Sequence, residues 1–176
     1  MLSEASFLDS ARATPRTAHA PRHASSEARL SDESDETTCP AFGFLRGIHD
    51  KAPMIEFRLR NGNSASFAYG WLGQVRFNPS VGMLLKFSGE EVTLVWITGS
   101  NLDAYVGAGA MNLTDRGITR HRITFVREMD EDEVRKMPEG EPTIDRIQIA
   151  AFESADEQRE WLKKWAPAFM AHEADT

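Results

Sequence analysis

The chain has 176 residues, a one-domain length, and its 41% hydrophobic and 27% charged shares place it among globular rather than disordered or fibrous proteins. A net charge of −7 argues against a general affinity for nucleic acid or anionic membrane, since both need a dominant basic field. Cys39 is the only cysteine, which excludes an internal disulfide and a cysteine-ligated zinc site; no transmembrane segment and no signal-peptide core is evident, so the expected setting is reduced and cytoplasmic.

Residues 1–40 read as a disordered tail, because Ala, Ser, Thr, Arg and acids dominate and no apolar period offsets the entropy of ordering them. The Arg and Ser content resembles a transit peptide, but Glu4, Asp9, Glu27 and the run Asp32-Glu33-Ser34-Asp35-Glu36 are acids that such peptides avoid. Met54 stands directly before the first clear strand, so a domain translated from Met54 is an alternative start. Against it, the segment Ala41-Phe42-Gly43-Phe44-Leu45 is apolar enough to dock, and the domain is read as 41–172.

Ile55, Phe57 and Leu59 alternate with Glu56, Arg58 and Arg60, the period of a half-buried strand. Asn61-Gly62 is a strong hairpin signal because both positions tolerate positive φ. Phe67, Tyr69, Trp71, Val75 and Phe77 then share one face, interrupted by Gly70 and Gly73. This predicts one long bent strand or two strands sharing a corner. Asn78-Pro79-Ser80 is a turn before Met83, Leu85 and Phe87, and Ser88-Gly89-Glu90 is another before Val92–Ile97. That last segment, with Trp96, is apolar on both faces and is expected to be the most buried strand.

From Thr98 to Thr119 the pattern lapses into a glycine-containing connection in which Thr114 is a candidate helix N-cap, and long connections of this kind are often functional. Residues 121–127 return to strand with Ile123 and Phe125 inward, 128–143 form an acidic excursion, and 144–152 form the last strand. A helix over 155–170 follows, with Ser154 and Glu157 as a capping box, Trp161, Leu162, Trp165 and Phe169 on one stripe, Glu160 and Lys164 paired, and Pro167 bending the last turn. The predicted fold is mainly β (α+β): a small, strongly bent antiparallel sheet or barrel of six to seven strands capped by one C-terminal helix, with Trp71, Trp96, Trp161 and Trp165 as structural anchors.

The ending IQIAAFESADEQREWLKKWAPAFM, with Phe152, the Ser154 cap, Glu157 and Trp161-Leu162-Lys163, resembles the close of a pleckstrin-homology (PH-like) domain. The resemblance implies a seven-stranded bent barrel plugged by the helix. It also implies binding of phosphoinositide headgroups, peptides or partner proteins rather than catalysis.

No catalytic, cofactor or metal constellation is found. His49 and His121 lack a second His or Cys at ligand spacing, and neither a nucleophile elbow nor a phosphate-binding loop is present. An EF-hand loop starting at Asp130 would need glycine where Arg135 stands. The expected function is therefore a non-enzymatic module that recognises a protein or peptide partner, through the 98–119 connection (Asn101, Asp103, Asp115), His121, or an unpaired strand edge. Arg58 and Arg60 are the candidate contacts for an acidic ligand. Three alternatives remain: nucleic-acid binding by an Sm- or SH3-like barrel through Arg58, Arg60, Arg76 and Arg122; lipid-headgroup binding around Lys51, Arg58 and Arg60; and a hydrolase using His121 or His49.

Overall fold

The computed structural model describes residues 36–47, 49–107 and 111–170. Most of the stretch read as a tail, residues 1–35, lies outside the described residues. Its last residues do not: Glu36–Thr38 form β1, which pairs with β2 (Phe42–Leu45). The remaining strands are β3 (Met54–Arg58), β4 (Ser64–Ala68), β5 (Leu72–Asn78), β6 (Gly82–Ser88), β7 (Val92–Thr98), β8 (Ile123–Arg127) and β9 (Arg146–Phe152). The helices are α1 (Glu131–Lys136) and α2 (Ala155–Trp165). The chain is mainly β with a C-terminal helix, as predicted. The strands number nine rather than six to seven among the described residues, and they form two sheets, β1-β2-β8-β3-β4 and β5-β6-β7-β9, not closed into a barrel. Nor is the pairing wholly antiparallel, because β3 and β8 run parallel.

The physical reason lies at residues 69–71. The apolar parity from Phe67 to Phe77 is carried by two strands sharing a corner: a 3-10 turn over Tyr69–Trp71 ends β4 at the edge of one sheet and begins β5 at the edge of the other. Tyr69 stays buried, its hydroxyl donating to the Ile123 carbonyl at 2.9 Å, while Trp71 is thrown outward and is 54% exposed. Trp71 is therefore not a core anchor.

Asn61-Gly62 makes the hairpin between β3 and β4. Leu59 N–H donates to the Asn63 carbonyl at 2.8 Å, the Asn61 side chain accepts from Asn63 N–H at 3.0 Å, and Gly62 adopts φ +86°. On β8 the expected parity fails. The register against β2 shifts between Gly43 and Phe44, whose partners are Phe125 and Ile123. This bulge takes up Thr124, so Ile123 and Val126 share the inner face and Phe125 turns outward. There the Phe125 ring lies across Gly43, where a Cβ would come within 2.4 Å of it, and the Arg58 guanidinium covers it at 3.8 Å.

Both sheets contribute to one core, with Ile55, Phe57, Ile123 and Val126 from the first and Met83, Leu85, Phe87, Val95, Ile97 and Ile147 from the second. β7 is central but Trp96 on it is only half-buried; β6 carries the longer buried run. The 98–119 connection holds turns and a 3-10 segment at Ile118–Arg120 in place of a helix capped by Thr114, and it drops Leu102, Val106, Met111, Leu113 and Ile118 into the same core. Arg122, buried beside this core, donates to the carbonyls of Leu45 and Arg46 at 2.7 and 2.6 Å and so ties β2 to β8.

A second, smaller cluster lies on the outer face of the second sheet, where α2 packs. Leu84, Leu94 and Phe152 meet Leu162, Ala166 and Phe169, with Trp96 and Trp161 at its margin. The Ser154 hydroxyl accepts from Glu157 N–H at 3.3 Å, while the Glu157 carboxylate reaches back to Glu153 N–H, one residue beyond a standard box. α2 ends at Trp165, before Pro167, so the helix is shorter than 155–170. Glu160 pairs with Lys163 rather than Lys164, whose ammonium sits 4.9 Å over Trp165. Trp165 is 40% exposed and stands at the rim rather than in the cluster.

Candidate functional site

The candidate contacts sort into two grooves and two isolated positions. The first groove, of about 450 Å³, is lined by Glu56, Arg58, Arg60, Arg127, Glu128 and Glu133 at the end of the β3–β4 hairpin. Its cations are already engaged. Arg58 pairs with Glu56 at 2.7 Å, and Arg127 holds Glu133 at 2.9 Å. Both carboxyls are thereby held below the usual glutamate range, each chiefly by its arginine's hydrogen bond. Arg60 donates to the carbonyls of Met129 and Asp145, and its own N–H is taken by Glu128 at 2.6 Å. It acts as a tie between the hairpin and the segments flanking α1.

The second groove, of about 700 Å³, lies between β5 and the 98–119 connection. Val75 and Phe77 of β5 form an apolar wall; Asp103, Tyr105, Asn112, Thr114, Asp115 and Thr119 supply the opposite side. β5 is the end strand of its sheet, so its outer edge carries no strand partner among the described residues. Asn112 organises the connection: its amide nitrogen donates to the Asp115 carboxylate and to the Asp103 carbonyl, and its oxygen accepts from Arg116 N–H at 2.9 Å. The Asn112 hydrogen bond is the main reason the Asp115 carboxyl sits below its ordinary pKa, so it is a fixed anion near neutral pH. Tyr105 is 48% exposed, with the Arg116 guanidinium 5.1 Å from its ring centre.

Asp103 and Asp115 are thus brought together, and Asn101 and His121 line neither groove. Asn101 sits in the left-handed region at φ +54° and donates to the Glu141 carbonyl at 3.3 Å, a turn role. Tyr105, Asn112 and the β5 wall were not singled out in the sequence. The available signal was the lone aromatic of the 98–119 connection.

His121 also has positive φ, at +58°, and its ring stacks on Tyr69 with centroids 4.6 Å apart. Burial, and then the charge of Lys51, push its imidazole below the ordinary value of 6.5. The folded state therefore favours neutral His121, and the unfolded chain takes up the proton first as pH falls. Stability from this group is present above about pH 6.5 and declines as pH drops below it. His121→Asn keeps a residue that tolerates the left-handed region and removes the titration. Its melting temperature is expected to fall less between pH 7.5 and pH 5.5 than that of the parent; parallel curves would contradict the assignment.

Among the described residues the His121 ring makes no hydrogen bond to a hydroxyl or carboxylate, and no three His, Cys, Asp or Glu side chains gather to hold a metal ion. The Cys39 thiol donates to the Phe42 carbonyl at 3.3 Å and burial raises its pKa, which suppresses thiolate chemistry. No helix of the described residues is long and apolar enough to cross a membrane. No family model matches the chain, and neither the curated proteins nor the solved structures contain a match.

Proposed function

We propose that the protein is a non-enzymatic binding module that takes an extended peptide segment of a partner protein into the groove between β5 and the 98–119 connection. The observation that carries this reading is the juxtaposition, in one groove, of a strand edge with no strand partner among the described residues, an apolar wall and an acidic rim. An added strand would find main-chain partners along β5, while Val75, Phe77 and Tyr105 would take an apolar side chain. Asp103 and Asp115 favour basic residues beside that anchor. The resemblance of the last strand and helix to the close of a PH-like domain points to the same class of function. The nucleic-acid alternative draws on Arg58, Arg60, Arg76 and Arg122, and the lipid-headgroup alternative on Lys51, Arg58 and Arg60. Each of these guanidiniums is already committed, to Glu56, to backbone carbonyls beside α1 and β9, to the Phe169 carbonyl, and to the Leu45 and Arg46 carbonyls respectively.

Selection from a displayed random-peptide library on the purified protein tests this. Enriched sequences should share one aromatic or aliphatic residue flanked by Lys or Arg. Tyr105→Ala combined with Asp103→Lys, both exposed positions, should weaken the selected peptides by about tenfold or more. A library that fails to enrich, or peptides that bind the double variant equally well, would refute the proposal.

A further inference from the structure

The corner between β4 and β5 carries a second hollow that the peptide groove does not use. Trp71, Phe67, Phe87, Gly89, Glu90, Glu91 and Thr93 enclose about 390 Å³ there. Trp71 is 54% exposed, yet it is not loosely placed: its six-membered ring lies 3.3 Å from the point where a Cβ on Gly89 would stand. A Cβ there would press on the indole, which would have to give by a few tenths of an ångström. Phe67 stacks on Phe87 with centroids 4.8 Å apart and planes 26° from parallel, so a half-buried aromatic wall is backed by a buried one. Glu90 and Glu91 are exposed on the turn between β6 and β7, and neither forms an ion pair among the described residues.

This combination selects for one chemistry. An indole face attracts cations more strongly than any other side-chain ring, and two uncompensated carboxylates beside it add charge complementarity. A purely apolar ligand would fill the hollow but leave the carboxylates without a partner and partly desolvated. A primary ammonium satisfies the charge, but it is compact and strongly hydrated and gives up that water reluctantly against an aromatic wall. An ammonium whose protons are replaced by methyl groups carries the same charge on an apolar, weakly hydrated surface. We propose that the Trp71 hollow is a binding site for a methylated ammonium group, held by the faces of Trp71 and Phe67 and by the charges of Glu90 and Glu91.

The test uses the full chain and follows the indole N–H resonance of Trp71 by two-dimensional NMR, assigned by its loss in Trp71→Phe. Tetramethylammonium chloride is titrated against potassium chloride at equal ionic strength, with neopentyl alcohol as an uncharged, water-soluble analogue that differs from the same shape by one added hydroxyl. A saturable shift of the Trp71 signal with tetramethylammonium alone is expected. Glu90→Gln with Glu91→Gln should weaken binding by roughly threefold to thirtyfold, and Trp71→Ala should abolish it, as read from ligand-detected saturation transfer. Both changes lie at exposed positions, and an unchanged melting temperature in each variant would confirm that folding is intact. Absence of a saturable shift, or equal binding of neopentyl alcohol, overturns the proposal. Choline and a trimethyllysine peptide then distinguish the source of the group: tighter binding of the peptide assigns it to a protein partner, and tighter binding of choline assigns it to a small molecule.

Discussion

Replacing Gly82 with alanine is expected to destabilise the protein by on the order of 3–5 kcal/mol. Gly82 opens β6 at φ +114°, a backbone conformation that L side chains rarely adopt. A Cβ there would also come within 2.2 Å of the Ile97 carbonyl oxygen on β7. That atom is backbone, so the clash cannot be relieved by a rotamer change; β6 and β7 must separate where Met83 pairs with Ile97. Gly62 supplies the control. Its φ is +86°, but nothing lies within 4 Å of its Cβ position. Gly62→Ala should therefore cost only about 1 kcal/mol, from backbone strain alone. Urea unfolding midpoints of the two variants measure the difference. Equal losses would mean that conformation, not the close approach to β7, governs Gly82.

Trp161→Ala is expected to cost about 2–3 kcal/mol, somewhat below the range for a fully buried tryptophan because the ring is only partly covered. Trp161 meets Trp96 edge-on at 6.4 Å and Phe152 at 5.9 Å between ring centres, which adds geometry to area. The cluster under α2 is separate from the main core, so the damage should be local. Native-state hydrogen exchange should show α2 opening well before β6 and β7, and limited proteolysis should cut first after Phe152. Uniform loss of protection across both sheets would mean that the helix and the two-sheet core unfold as one unit.

The alternation of Ile55, Phe57 and Leu59, the Asn61-Gly62 turn and the Ser154 cap were readable because each is a local signal. What was missed depended on distant partners. Phe125 sits on the face opposite Ile123 because of a bulge defined against Gly43, and no period within 121–127 records it. Trp71 shares parity with Phe67 and Phe77, yet a 3-10 turn hands the chain to another sheet just there. Glu36–Thr38 has no apolar residue at all and is a strand only because β2 offers it an edge. The same distinction holds at the grooves. Asp103 and Asp115 could be suspected from their place in a long connection, but not that Asn112 would join them or that β5 would form the facing wall. Arg58 and Arg60 looked available because a sequence does not show that Glu56 and two carbonyls already hold them.

The position of β8 governs the order in which the chain can fold. β8 inserts between β2 and β3, two strands synthesised before the whole β5–β7 meander. The meander joins neighbours in sequence through short turns and can assemble as soon as it leaves the ribosome. Until Ile123–Arg127 emerges, β2 lacks its inner neighbour and the β3–β4 hairpin has an open flank. Closing that gap requires a long-range parallel pairing, the slowest kind of contact to form. A nascent chain halted before residue 123 therefore presents β2 and the open flank of β3 without the strand that joins them, and this is the interval in which a chaperone would be needed most.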